Sequence, residues 1–294
     1  MNILILGGTR LFGKVLVRNL IERGHNVTIA TRGLTQDSYG DLVTRIIIDR
    51  ENKKSIEKAL EGKYFDIIYD NLCYSPNSAR DLCDVIEDKT DRYIIISSSA
   101  VYKFNKNIKE EEFNPYIYKV IYGDRYDFSY AEGKRLSEAV VFQNYNIKTV
   151  AVRFPVVLSK DDYTKRLYSY VENNILNKST NINNIDSNLS FISDKEAGDF
   201  LAWLSNVDYV GPINAASYGF ITIKEIIEYI EKSTGKKMII SSDGINGKYN
   251  GIFDSNLDIS RVESLGYKFN NIKEYIFNLL EYYTDICITK FFQS

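Results

Sequence analysis

Four apolar residues, Ile3-Leu4-Ile5-Leu6, stand almost at the start of the chain, and after them the period of the pattern changes. Gly7, Gly8 and Gly13 follow; then Leu16 and Leu20, with Val17 and Ile21, recur at i, i+4 spacing up to Gly24. The first run reads as a strand, the second pattern as a helix stopped by Gly24, and the glycines between them as a tight turn. The alternation continues. Val27-Thr28-Ile29-Ala30, Ile46-Ile47-Ile48, Phe65-Asp66-Ile67-Ile68-Tyr69, Arg92-Tyr93-Ile94-Ile95-Ile96 and Thr149-Val150-Ala151-Val152-Arg153-Phe154 read as further strands. A helix from Ser55 to Leu60 separates the third from the fourth. Short, mostly apolar strands alternating with helices predict an α/β fold built on a doubly wound parallel sheet covered on both faces. The ligand crevice of such a sheet lies at the C-terminal ends of its strands.

Beyond Phe154 the alternation loosens. Residues 177–188 are rich in Asn and Ser and read as a polar loop. Phe191-Ile192-Ser193-Asp194 leads into a helix through Trp203. Thr222 caps a predicted helix to Thr234, with Glu225 in the capping-box position and Gly235 as its stop. A last helix is expected from Ile272 to Tyr283. The pattern divides the chain into a nucleotide-binding domain, 1–157, and a smaller mixed α/β subdomain on the substrate side, 158–294, interleaved with the end of the main sheet.

Composition narrows the function. The chain has 294 residues, 44% hydrophobic and 26% charged, with a net charge of −2, as an ordinary globular protein does. No run of Lys or Arg offers a track for nucleic acid, and no apolar run is long enough for a membrane span. The N-terminal apolar run has no basic flank or cleavage site and reads as a strand, not a signal peptide. Cys73, Cys83 and Cys287 are odd in number and lack metal-ligand spacing, which points to a reducing cytoplasm and no metal site. The single histidine, His25, falls in the turn after the first helix, far from the crevice, which argues against a Ser-His-Asp triad.

Three segments carry chemistry. In the first, Gly7, Thr9, Arg10, Leu11, Phe12 and Gly13 form a strand-to-helix loop whose glycines let the backbone approach a pyrophosphate at a helix N-terminus, as in a Rossmann dinucleotide site. Arg10 stands where such loops usually carry their middle glycine. The second strand ends Ala30-Thr31-Arg32-Gly33, with no carboxylate for a ribose 2′-hydroxyl and an arginine suited to a 2′-phosphate. Arg10 and Arg32 together predict NADP as the preferred cofactor and NAD as the second choice. Asp49, after the third strand, is placed to meet the adenine edge. Asn71, Tyr74 and Ser75, after the fourth, either line the site or enter a helix.

The second segment is Tyr130-Ala131-Glu132-Gly133-Lys134, in which Tyr130 and Lys134 share one helix face. A nearby ammonium and an oxidised nicotinamide stabilise a phenolate, which turns a phenol into a usable base. Lys134 also suits the nicotinamide ribose. The third is Ser97-Ser98-Ser99-Ala100-Val101-Tyr102, at the end of the fifth strand, where a hydroxyl can bond the substrate oxygen that Tyr130 deprotonates.

With all three segments in this order, the chain resembles the extended, atypical short-chain dehydrogenase/reductases of the NAD(P)-dependent epimerase/dehydratase group over nearly its whole length. The resemblance assigns the catalytic hydroxyl to Ser98, with Ser99 as its neighbour and substitute. Arg153-Phe154-Pro155 resembles the segment that closes over the nicotinamide. Phe191-Ile192-Ser193-Asp194 resembles the return of the chain to the sheet, and Leu257-Asp258-Ile259-Ser260-Arg261 with Leu265-Gly266-Tyr267 the C-terminal signature. Sugar dehydratases of the group carry an Asp-Glu pair after the catalytic Thr; Ser99-Ala100 stands here, so an epimerase or reductase is implied. The implied substrate is a nucleotide sugar, and the implied assembly a homodimer through a four-helix interface that includes the Tyr130 helix.

Residues 103–127 read as an insertion and as a lid over the substrate, with Tyr116, Tyr118, Tyr122 and Tyr126 as its contact residues. Segments 72–80, 103–127 and 156–190 are expected to supply the sugar-side contacts. The competing function is a redox-inert member that senses the cofactor or binds RNA, as some relatives with an arginine in the loop do.

Overall fold

The computed structural model describes residues 1–292. In chain order the first half contains β1 (Asn2–Leu6), α1 (Phe12–Glu22), β2 (Asn26–Thr31), β3 (Val43–Ile47), α2 (Lys53–Ala59), β4 (Phe65–Asp70), α3 (Pro76–Ile86), β5 (Thr90–Ser98), β6 (Asn105–Ile108), α4 (Tyr130–Asn144) and β7 (Lys148–Phe154). The second half contains β8 (Val156–Leu158), α5 (Arg166–Ile175), β9 (Thr180–Asn181), β10 (Asn188–Leu189), β11 (Phe191–Ser193), α6 (Asp194–Leu204), β12 (Gly211–Asn214), β13 (Ile221–Thr222), α7 (Ile223–Thr234), β14 (Ile245–Asn246), β15 (Ser255–Leu257), α8 (Ser260–Ser264) and α9 (Ile272–Phe292).

Seven parallel strands form the main sheet in the order β12-β7-β5-β4-β1-β2-β3. Chain order reverses between β1 and β4, and the loops after these two strands flank the crevice. Ile3, Ile5, Ile67, Tyr69 and Ile94 face one layer, with Leu16, Val17, Leu20 and Phe200; Leu4, Leu6, Ile68, Tyr93 and Ile95 face the other, with Leu82, Ile86 and Val140. Burying each such side chain contributes about 1.5–3 kcal/mol, which is why strands apolar on both faces demand helices on both. Gly198 of α6 lets α1 pack closely, because a Cβ there would meet the Val15 side chain.

Several elements lie elsewhere than the periodicity predicts. The third strand is Val43–Ile47, three residues early, because it sits on the sheet edge and needs only one buried face; Ile47 is exposed there. The seventh strand, Gly211–Asn214, is not legible in the pattern, since four residues around a proline carry no period. The capping box of Thr222 and Glu225 and the left-handed Gly235 delimit α7 as expected. The last helix continues beyond Tyr283 to Phe292, with Cys287 buried against the second core.

The stretch 103–127 is a correction of its own. Its first part is built into the fold and is not a lid: β6 pairs with β15 in a four-stranded sheet, and Ile108 and Phe113 are buried in the main core. Residues 114–127 then run as a strap along α3 and α4. Gln143 donates to the carbonyls of Pro115 and Tyr118, Asn144 to the Tyr122 hydroxyl, and Asn77 to Asp124. A fully buried ion pair anchors the root of the strap. Arg153 Nη2 lies 2.6 Å from Glu138 Oε2, and the same guanidinium donates to the Glu110 and Phe113 carbonyls and the Tyr102 hydroxyl.

Candidate functional site

Two adjoining cavities open at the C-terminal ends of the strands. The one over the glycine loop holds about 580 Å³ and is lined by Gly7, Gly8, Thr9, Arg10, Thr31 and Arg32, among others. The other holds about 860 Å³, within the usual range for ligand pockets, and reaches Ser98, Tyr130 and Lys134. Leu11, Phe12, Asn71, Tyr74, Arg125 and Tyr163 line both, so the two are one continuous crevice.

The glycine loop is shaped for a close ligand. Gly7 and Gly8 have φ of 100° and 93°, conformations that side chains resist. A Cβ on Gly13 would come to 3.0 Å from the Gly8 Cα, so the helix abuts the turn. Arg10 is accommodated because the left-handed backbone falls on its neighbour: Leu11 has φ 45° and ψ −135°. Strain at a non-glycine residue beside a crevice is a mark of a site. No side chain caps α1 and its first turn holds no acid, so its dipole faces the cavity without a countercharge, while the amides of Gly13 and Lys14 donate to the Arg10 and Leu11 carbonyls. Both amide atoms of Asn71 are buried without a partner among the described residues. An open helix N-terminus, a turn that excludes Cβ atoms and an orphaned amide fit a dinucleotide. Thr9, Leu11, Phe12 and Gly13 would hold its pyrophosphate and Asn71 its middle.

At the end of the crevice beside β2, Arg10 and Arg32 are exposed cations on the rim, with Thr31 between strand and loop. Asp49 also lines this end, with one carboxylate oxygen accepting from the Glu51 amide. The sequence does not disclose the buried pair beneath it. Arg50 Nη2 lies 2.6 Å from Asp70 Oδ2, and Tyr93 donates to the same oxygen. The charged residue ending β4 was the available signal.

The catalytic candidates converge in the larger cavity. Ser129 caps α4 by accepting from the Glu132 amide and so starts the helix at Tyr130. Tyr130 is 56% exposed, and its hydroxyl has no partner among the described residues. Lys134 is buried and donates to the carbonyls of Cys73 and Ile96, 2.7 Å each. An ammonium has three donors, so one remains for a ligand. Its Nζ is 4.5 Å from the Tyr74 ring centre and 5.8 Å from that of Tyr130. Burial pushes the Tyr74 hydroxyl up to about 12, which keeps that phenol neutral. Ser98 Oγ accepts from the Ala100 amide at 3.2 Å, leaving its proton free for the cavity. Ser97 points the other way and donates to the buried Glu138. Phe154 and Pro155 line the same cavity, and Phe154 packs on Phe12 with ring centres 5.6 Å apart.

Other expected contacts are redistributed. Ser75 is the N-cap of α3, so Asn71 and Tyr74 line the site while Ser75 enters a helix. Tyr116, Tyr118 and Tyr122 do not reach either cavity: Tyr116 packs on Phe142, Tyr118 on Phe113, and Tyr122 bonds Asn144. Their rings cover helices, a use that composition cannot tell from ligand contact. Tyr126 lines the cofactor end, and Lys103, Phe104 and Arg125 come from the same stretch. The wall formed by Tyr249, Ile252 and Ser255 carries no sequence signal, because it lies in an irregular segment and at the start of the three-residue strand β15, neither of which has a period. His25 sits in the turn after α1, and burial, the largest influence, holds its imidazole pKa below the ordinary value.

The fold is a doubly wound parallel sheet, with the glycine loop at its switch point and Tyr130, Lys134 and Ser98 at the crevice where such sheets bind ligands. The chain belongs to the NAD dependent epimerase/dehydratase family, whose model matches residues 3–191. Among solved structures it is similar to the UDP-glucose 4-epimerase of Thermus thermophilus in complex with NAD, at 15% identity and a TM-score of 0.73 over 96% of this chain and 99% of that one. It is also similar to the UDP-N-acetylglucosamine 4-epimerase of Methanobrevibacter ruminantium in complex with UDP-N-acetylmuramic acid. That match has 21% identity and a TM-score of 0.73 over 98% of each chain. A curated relative, chloroplast stem-loop binding protein of 41 kDa b from Arabidopsis thaliana, is 31% identical over 115 residues, 34% of this chain; the chain spans 30% of its length. Among the described residues no helix is long and apolar enough to cross a membrane.

Proposed function

We propose that this chain is an NAD(P)-dependent epimerase or oxidoreductase that works at a hydroxyl carbon of a nucleotide sugar. The observation that carries this reading is the convergence of Tyr130, Lys134 and Ser98 on one cavity continuous with the glycine loop. Solved structures of the same fold include UDP-sugar 4-epimerases, which supports the substrate class. Residues 1–157 would hold the cofactor and 158–294 most of the sugar nucleotide.

The nicotinamide, when bound, supplies the hydride acceptor and donor. Tyr130 Oη takes the proton of the substrate hydroxyl, and Ser98 Oγ donates a hydrogen bond to the same oxygen. Lys134, beside the Tyr130 ring, stabilises the phenolate with its ammonium and offers its remaining donor to the ribose. In an epimerase the sugar turns within the cavity before Tyr130 returns the proton. Ser99-Ala100 stands where sugar dehydratases carry an Asp-Glu pair, so elimination of water lacks its acid and base and a dehydratase is disfavoured. Arg10 and Arg32 support a preference for NADP over NAD. A homodimer through the Tyr130 helix would meet the 114–127 strap there, and light scattering reads that state.

The test is turnover of UDP-glucose to UDP-galactose with each cofactor, comparing the native protein with Tyr130→Phe. The variant is expected to keep its fold and cofactor affinity and to lose activity by about 10²–10⁴-fold; retained turnover would refute the mechanism. The redox-inert, RNA-binding reading is favoured by the name of the curated relative. The net charge of −2 weighs against it. Salt-dependent binding of an RNA stem-loop without cofactor-coupled turnover would reverse the order.

A further inference from the structure

Arg135 directly follows Lys134 and sends its guanidinium back to the serine turn. Its Nε donates to the Val101 carbonyl at 2.7 Å, and Nη2 reaches the Ala100 carbonyl at 3.4 Å. Nη1 pairs with Glu132 Oε2 at 3.1 Å, one turn earlier on α4. The other oxygen of Glu132 accepts from the Tyr118 hydroxyl at 2.8 Å. Tyr118 belongs to the strap, whose backbone Gln143 holds to the same helix. A continuous line of hydrogen bonds therefore runs from the strap, through Glu132 and Arg135, to the turn that presents Ser98.

The two carbonyls belong to residues two and three places after Ser98, in the short helical turn Ser99–Val101. Ser98 Oγ is itself bonded to the Ala100 amide, so this peptide segment cannot rotate without moving the hydroxyl. A planar guanidinium can grip two carbonyls and a carboxylate at once; an ammonium cannot match that fork. Ion-pair stability alone would not require the side chain to reach the serine turn.

We propose that Arg135 is a positioning residue: it fixes the serine turn against the Tyr130 helix, and through Glu132 and Tyr118 it makes that fix depend on the strap. The inference rests on the assignment of Ser98 and Tyr130 above. It gives residues 114–120 a part in the reaction although none of them lines the cavities.

The test compares the native chain, Arg135→Met, Arg135→Lys and Tyr118→Phe by amide hydrogen exchange and by UDP-glucose epimerisation. Arg135→Met should speed exchange across 98–102 by about tenfold or more while the β5 core stays protected. It should lower kcat about 10- to 100-fold, since a displacement of about 1 Å at a catalytic group costs that much, with KM and cofactor affinity nearly unchanged. Arg135→Lys should recover part of the loss, and Tyr118→Phe should show a smaller change of the same kind. In a Ser98→Ala background, Arg135→Met should cost nothing further, because both act through one hydroxyl. Unchanged exchange in the turn, or full multiplicative loss on top of Ser98→Ala, overturns the proposal. If the native chain shows no turnover with UDP-glucose, the functional reading fails, and the exchange arm still decides whether Arg135 holds the turn.

Discussion

Gly133 of the Tyr130 helix lies directly against the Tyr74 carbonyl, so closely that a Cβ at this position would collide with the oxygen. The contact sets the spacing between α4 and the loop after β4. It is what allows Lys134, the next residue, to reach the Cys73 carbonyl. The glycine inside the Tyr/Lys motif is therefore a spacer between two walls of the site. Gly133→Ala should destabilise the fold by about 1–3 kcal/mol, the usual cost of overpacking, and should weaken cofactor binding as well. Urea unfolding and cofactor titration check this; a variant with native stability and affinity would show that the loop yields freely.

The pair Glu138 and Arg153 is fully buried, and Arg153 also holds two carbonyls at the root of the strap. Removing one partner strands a charge in the interior. Glu138→Gln is expected to cost about 3–5 kcal/mol in chemical denaturation. A loss below about 1 kcal/mol would mean that the interior solvates Arg153 through its carbonyl partners alone.

Arg10 and Arg32 stand on the rim of the crevice beside β2 with no carboxylate partner among the described residues. A 2′-phosphate would give them charge-assisted bonds that a ribose hydroxyl cannot. NADP(H) is expected to bind about tenfold or more tightly than NAD(H), and Arg32→Ala to erase the difference. Fluorescence titration with both reduced cofactors measures it, and equal or tighter binding of NADH sinks the preference.

Glu110 carries a pH signature. Burial, the largest influence, raises its carboxyl above the ordinary range, despite the Asn214 amide bonded to it. The folded state thus prefers the protonated acid more than the unfolded chain does. The stability this group contributes is full below the unfolded value near 4.5 and declines as pH rises through the folded value. Glu110→Gln does not titrate, so the variant should gain on the native protein as pH is raised from about 4 to about 7. A melting-temperature difference that stays constant over that range counts against the shift.

The parts of this protein legible in its sequence are those governed by near neighbours. Short apolar runs disclosed six of the seven parallel strands, the edge strand β3 with a shifted start, because a run of buried residues needs no distant partner to show its pattern. The glycine loop, the Thr222 capping box and the Tyr130/Lys134 spacing are likewise matters of a few adjacent residues. Arg10 drew notice for the same reason, as one side chain in the wrong place in a short motif.

Tertiary structure alone decided what each polar or aromatic side chain does. The strand Gly211–Asn214 exists because it pairs with β7, far away in sequence. Tyr116, Tyr118 and Tyr122 cover helices, whereas Arg125 of the same segment enters the crevice. Ser97 and Ser98 are adjacent, yet one bonds a buried glutamate and the other faces the cavity, as alternate residues of a strand must. The sequence by itself determined the layered sheet, the nucleotide loop and the residues available for catalysis, since local periodicity and turn chemistry act over a few residues. Which of those residues meet was settled by packing between segments remote in the chain, where burial forces every donor and charge to find a partner.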